Sequence, residues 1–168
     1  MPMAPFYEEF RDLAFKETRS ATVRGFRGLP DGEYAFLEYY CNEPGCDCRR
    51  VHIVVISRDT PGEILATISY GWESVEFYKK WAEDESAGED YRGPILEPFG
   101  QQTKLAPHLL ELFKRVALED ARYVDRLRRH YRMFKQVIED RHRLQSGRKR
   151  KSSKKSGGRR KKKKSRKR

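Results

Sequence analysis

From residue 34 to residue 70 the chain repeats apolar and polar positions with the periods of extended backbone. Over 34–41, Ala35, Leu37, Tyr39 and Cys41 point one way and Tyr34, Phe36, Glu38 and Tyr40 the other. The alternation and the aromatic content both suit a pleated strand. Over 51–57 both faces are apolar, with Val51, Ile53 and Val55 against Val54 and Ile56, so this strand is expected in the middle of a sheet. Thr60-Pro61-Gly62 carries the residues of a type II turn, and 64–70 is a third strand that ends at Gly71. The simplest topology is a small antiparallel meander of about three strands.

Helical spacing takes over on either side. Phe6, Phe10 and Leu13 recur at helical intervals over 5–17, with Glu8, Glu9 and Asp12 between them. The stretch 20–28 reads as neither period, and Leu29-Pro30-Asp31-Gly32 reads as a turn. Trp72, Val75, Tyr78 and Trp81 lie near one face of a helix over 72–82, and aromatics at that spacing usually serve the core. Residues 83–90 hold five acids and read as a surface loop, followed by an irregular connector over 91–103. A helix begins near Ala106, with Pro107 in its first turn. Glu119-Asp120 separates it from the most regular helix, over 121–143. There Val124, Leu127, Tyr131, Phe134 and Ile138 form a narrow seam, opposite an arc of Arg122, Arg126, Arg128, Arg129, Arg132, Lys135 and Arg143. The fold class expected is α+β: the meander packed against three to four helices, then a disordered tail.

Charge divides the chain in two. The net charge of +12 is not shared evenly: residues 146–168 hold 15 Lys and Arg and no acid, whereas 1–145 hold 22 Lys and Arg against 25 Asp and Glu. The body over 1–145 is therefore mildly acidic, and the high pI belongs to an appended basic segment over 146–168. No stretch has the apolar length needed to span a bilayer. Met1 to Phe10 carries acids and no apolar core, which does not read as a secretory signal. The expected compartment is the cytoplasm, with nucleoid or ribosome association or, in a cell with a nucleus, nuclear import through the tail. In a reducing compartment clustered cysteines are more often metal ligands or redox groups than disulfides.

All three cysteines lie between the first two predicted strands, in Cys41-Asn42-Glu43-Pro44-Gly45-Cys46-Asp47-Cys48, followed by Arg49, Arg50, Val51 and His52. The spacing is C-x4-C-x-C-x3-H. Thiolates and a neutral imidazole are the ligands Zn²⁺ prefers, and a closed structural site takes four of them. The expected set is Cys41, Cys46, Cys48 and His52, with Asp47, Glu43 and His108 as other fourth ligands, and with Arg49 and Arg50 offsetting the charge of the thiolates. A redox or nucleophilic thiol pair beside those arginines is the competing reading, and unliganded cysteines in a loop are a third. A site with only three protein ligands would leave a position for water and hydrolytic chemistry. The chain carries no H-E-x-x-H, no G-x-S-x-G and no glycine-rich phosphate loop, so a binding protein is favoured over a hydrolase or thiol redox enzyme. A helical adaptor using the seam of the last helix is a further alternative.

The body over 6–140 resembles a bacterial family of small, poorly characterised proteins. The matching pieces are 39–51, Tyr70-Gly71-Trp72-Glu73-Ser74, 105–113, and Leu127-Arg128-Arg129-His130-Tyr131. Some members of that family end in a SEC-C motif, a small cysteine-rich zinc-binding element. This chain lacks that motif and ends in the basic segment. The resemblance implies a metal-associated role and no known reaction.

The basic segment contains only Ser, Gly, Lys and Arg. Without apolar residues it cannot offset the entropy of ordering, so it is expected to be disordered and to bind a polyanion. Nucleic acid, DNA or RNA, is the expected partner. The cations that would meet phosphates are Arg148, Lys149, Arg150, Lys151, Lys154, Lys155, Arg159, Arg160, Lys161, Lys162, Lys163, Lys164, Arg166, Lys167 and Arg168. No aromatic is interleaved to stack on bases, so binding is expected to be sequence-nonspecific. Engaging six to ten phosphates would make affinity fall about 10³- to 10⁵-fold between roughly 50 and 200 mM salt. Deleting residues 146–168 is expected to abolish this salt-sensitive binding in an anisotropy titration with labelled DNA and RNA. A truncated body that binds as tightly as the full chain removes the tether.

Overall fold

The sheet is built outward from its most apolar strand. A computed structural model describes the backbone of residues 2–164 and the side chains of residues 2–147. The elements run β1 (Met3–Pro5), α1 (Phe6–Glu9), α2 (Arg11–Glu17), β2 (Arg19–Val23), β3 (Gly32–Cys41), β4 (Arg50–Ser57), β5 (Ala66–Gly71), α3 (Val75–Ala82), α4 (Gly88–Arg92), β6 (Ile95–Leu96), α5 (Ala106–Phe113), a π-helical turn (Lys114–Leu118) and α6 (Ala121–Lys164). The strands form one antiparallel sheet of order β1-β3-β4-β5-β6, and β2 shares the outer edge of β3 with β1. β4 lies between β3 and β5, as its two apolar faces require.

The α+β class and the three-stranded meander are as expected, and the sheet is larger than the alternation suggested. The first part of the ambiguous stretch 20–28 belongs to strand β2 (Arg19–Val23), and the rest is bend and turn. Met3–Pro5 adds β1, whose register places Met3 opposite Cys41. Ile95–Leu96 adds β6 inside the expected connector. The first helix is split at Phe10, whose extended φ of −134° breaks it into α1 and α2. Asp120 starts the last helix by accepting the amide of Arg122 on Oδ1 at 3.0 Å. The disordered tail expected over 146–168 falls on residues that, beyond Gly147, lie outside the described side chains. Among the described residues no helix is long and apolar enough to cross a membrane.

α5 and α6 cover one face of the sheet. Phe36, Val51, Ile53, Val55 and Ile68 point into it and meet Leu109, Phe113, Leu127 and Phe134, all of them buried. The seam of α6 is therefore filled by its own domain: Leu127 and Phe134 are fully buried, and Tyr131 and Ile138 nearly so. That placement leaves no free seam for an adaptor helix. Tyr78 is buried, Trp72 meets Tyr131 edge-on at 5.3 Å and Trp81 meets Tyr91 at 5.4 Å, so the aromatics of the α3 region serve packing.

The same face buries a polar group that the periodicity did not single out. His130 lies on α6 with no exposed surface. Its Nδ1 is 2.6 Å from Glu38 Oε2 on β3, and its Nε2 is 2.9 Å from Glu17 Oε2 on α2. Phe6 stacks on its ring at 4.2 Å, and the Tyr40 hydroxyl donates to Glu38 at 2.8 Å. Burial, then the neighbouring Glu38 carboxylate, pushes the Tyr40 hydroxyl well above its ordinary range. Glu17 shifts the other way: burial alone would raise it, but the hydrogen bond from His130 and the charge of Arg129 outweigh that and lower it. One ring thus ties β3, α2 and α6 together, because a buried carboxylate is tolerated only with partners. His130→Ala would leave Glu38 with only the Tyr40 hydroxyl and remove the Phe6 stack, with an expected loss of about 3–5 kcal/mol of stability. Chemical denaturation measures it, and a loss below about 1 kcal/mol would contradict this role.

Candidate metal centre

The cysteine loop spans the gap between β3, which ends at Cys41, and β4, which begins at Arg50. Two residues give it its sharp path. Gly45 sits at φ +76° with open space where a Cβ would be, and the Cys46 amide closes a tight turn on the Glu43 carbonyl at 3.4 Å. Arg49 is left-handed at φ +47° without being glycine, a conformation that costs free energy unless its surroundings impose it. They do. Its amide donates to the Tyr131 hydroxyl at 3.3 Å and its carbonyl accepts the Tyr78 hydroxyl at 2.8 Å. Its guanidinium grips Asp47 at 2.8 Å, reaches Glu73 at 3.4 Å and lies 4.7 Å from the centre of the Phe77 ring.

Helix α6 holds the loop from one side. Tyr131, Lys135 and Glu139 are spaced by four residues and so fall on one stripe of the helix, about 6 Å apart along its axis. Tyr131 receives the Arg49 amide. Lys135 Nζ donates to the Glu43 carbonyl at 2.6 Å. Glu139 Oε1 accepts the Gly45 amide, also at 2.6 Å. The three contacts bracket the segment that carries Cys46 and Cys48.

The result is a group of three sulfurs. The Sγ atoms of Cys41, Cys46 and Cys48 all lie within 4.8 Å of one another, and all three thiols are free. Cys41 and Cys48 are fully buried and Cys46 is partly exposed. The thiols are electrostatically unequal. The Cys48 thiol hydrogen-bonds Cys41, and despite the opposing effect of burial, contacts from the Glu43 backbone and Cys46 and the charge of Lys135 help hold Cys41 down, from an ordinary value near 9 to about 6. Cys48 is pushed up, first by serving as donor to Cys41 and then by burial. Burial and the Cys41 charge also raise Cys46. One thiolate thus accepts from its neighbouring thiol in the metal-free group, and a soft cation binding all three sulfurs would displace the remaining thiol protons. Tetrahedral Zn²⁺ with Zn–S near 2.3 Å places sulfurs about 3.8 Å apart, so the trio fits such an ion after closing by about an ångström or less.

The structure does not bring His52 to this group. Alternation along β4 sends Arg50, His52 and Val54 to one face and the core residues Val51, Ile53 and Val55 to the other. His52 stands opposite Tyr39, and its Nε2 faces Glu97 Oε2 at 3.2 Å. Three metal-ligand candidates are therefore together, and the fourth is engaged elsewhere. The other expected fourth ligands are no closer to the role. Asp47 is held by Arg49, Glu43 contributes its carbonyl to Lys135 and the turn, and the exposed His108 ring packs over Gly28. Of the expected counter-charges, Arg49 is engaged with Asp47 and Glu73, whereas Arg50, which stacks over Tyr91, still feels the charge of Cys48. Lys135 supplies the nearby positive charge. In the sequence it is one more cation of a solvated arc; its four-residue spacing to Tyr131 and Glu139 is legible, but the loop it faces is not.

No protein-family model matches this chain, and no curated protein and no solved structure shows significant similarity to it. Nothing in these comparisons links it to SEC-C proteins. The fifteen cations of the expected nucleic-acid contact, Arg148 to Arg168, lie outside the described side chains.

In metal-free protein, absorbance near 240 nm is expected to rise by one thiolate as pH increases through about 6. The other two thiols should ionise only above the ordinary thiol value near 9. Three thiols titrating together near that ordinary value would contradict a single lowered thiol.

Proposed function

We propose that this chain is a non-enzymatic binding protein in which the cysteine loop holds one structural zinc ion and the basic segment tethers the domain to DNA or RNA. The observation that carries the metal reading is the mutual approach of the Cys41, Cys46 and Cys48 sulfurs to within 4.8 Å, on a loop whose path is fixed by α6. Three soft donors, two of them buried, suit Zn²⁺ or another thiophilic ion better than a hard cation. With three protein ligands, a solvent molecule would supply the fourth. Held there, the ion locks the β3–β4 connection against α6, and its binding free energy becomes folding free energy.

The nucleic-acid part of the reading rests on composition. A run of Lys and Arg without acids binds phosphates by counterion release. The described part of α6 adds little to it, because Arg128, Arg129, Arg141 and Arg143 are engaged with Asp125, Glu17, Glu9 and Asp140. The appended segment is the main polyanion contact, and Arg122 and Arg132, which have no acid partner among the described residues, are the cations of the helix face that extend it. A second reading, a thiol redox protein, is favoured by one observation: the lowered Cys41 thiol lies beside Cys48, the arrangement of a nucleophile and its resolving partner.

Elemental analysis of purified protein beside Cys46→Ser separates the two. About one equivalent of zinc in the wild type, with unreactive thiols, and a small fraction of that in the variant is the expected result. Metal-free wild type with one fast-reacting thiol would overturn the zinc site in favour of thiol chemistry.

A further inference from the structure

The face of the sheet opposite the helices α5 and α6 carries a second buried charge, and this one has no acid paired with it. Alternation along β4 places Arg50 there, only 4% exposed. One of its amino groups donates to the Ser69 hydroxyl, its guanidinium lies 4.5 Å from the centre of the Tyr91 ring, and its Nε is buried without a partner. Arginine is rarely buried this deeply unless it is paired. Here it lines a cavity of about 650 Å³, within the range of small-molecule sites.

The cavity walls are built, not incidental. The segment after β6 is laced to β5 by the Glu97 amide on the Thr67 carbonyl at 2.8 Å and by Gln102, which both accepts from and donates to the Thr67 backbone. This fixes Glu97 opposite His52. Asp90 from α4 and Phe99, which is 98% exposed, complete the lining. The chemistry of these groups selects a ligand. The guanidinium fork of Arg50 matches a planar carboxylate. Asp90 and Glu97 repel a second negative charge and accept hydrogen bonds from a cationic donor. Phe99 offers an apolar ring at the mouth.

We propose that this cavity binds a small zwitterionic carboxylate, an α-amino acid with an apolar side chain, its carboxylate on Arg50, its ammonium toward Asp90 and Glu97 and its side chain against Phe99. The site is separate from the thiols and does not depend on a metal there.

Calorimetric titration of the full chain with L-phenylalanine tests it. Saturable one-site binding is expected. Phenylalaninamide, which lacks the carboxylate, and 3-phenylpropionate, which lacks the ammonium, should each bind at least about tenfold more weakly. Arg50→Lys should lose binding by a similar factor. Because that residue is buried, Asp90→Asn and Phe99→Ala, both at exposed positions, serve as variants whose folding is safe, and each should weaken binding severalfold. Absence of saturable binding by L-phenylalanine and L-leucine, equal binding of the amide, or unchanged affinity in both exposed variants would overturn the proposal.

Discussion

Three thiols can share one site here only because a short loop is forced to double back. Cys41 ends β3, whereas Cys46 and Cys48 lie on the return path to β4, and an extended connection would carry them away. The reversal relies on Gly45 and on a left-handed Arg49. Neither conformation is stable on its own account, since glycine gives up the most backbone entropy and a left-handed arginine is strained. The stripe of Tyr131, Lys135 and Glu139 on α6 supplies what the loop lacks, by giving partners to the Arg49 amide, the Glu43 carbonyl and the Gly45 amide. The helix is in turn fixed to the sheet by His130, whose ring joins Glu38 and Glu17 beneath Phe6. The thiol group therefore depends on a chain of contacts that begins in the domain core.

Both faces of the sheet bury charge: Glu38 and, on α6, the unpartnered Nε and Nη2 of Arg126 on the helical side, and Arg50 on the other. On the helical face Glu38 Oε2 receives both His130 and the Tyr40 hydroxyl, while its Oε1 is buried without a partner among the described residues. On the other face Arg50 receives a hydroxyl and an aromatic ring but no carboxylate ion pair, beside a cavity. A fold that keeps a buried cation without a contact ion pair next to open space keeps it at a cost in stability, here only partly offset by the more distant charge of Glu97. That cost is intelligible where a ligand supplies the missing charge.

Much of the fold was legible because its signals are local. The doubly apolar 51–57 stretch marked the central strand, the alternation from Tyr34 marked β3, and the step pattern from Leu127 to Ile138 marked the core face of α6. The strands that escaped notice, β1, β2 and β6, are short edge elements defined by pairing with β3 or β5, a relation that periodicity cannot register. The three sulfurs were legible from their spacing. His52 was the natural fourth ligand by nearness in sequence, but the pleat carries it to Glu97. Lys135 and Arg50 exchange roles for the same kind of reason. The cation beside the thiols comes from a helix some ninety residues away, and Arg50, two residues after Cys48 in sequence, points to the opposite face.

The proposed site would hold one ion among Cys41, Cys46 and Cys48 with no imidazole in its shell. X-ray absorption at the zinc edge of the loaded protein reads this directly. Three sulfur scatterers at about 2.3 Å and one light atom at about 2.0 Å, without the outer-shell pattern of a histidine ring, is the predicted spectrum. A shell of fewer than three sulfurs, or one that includes imidazole, would contradict it.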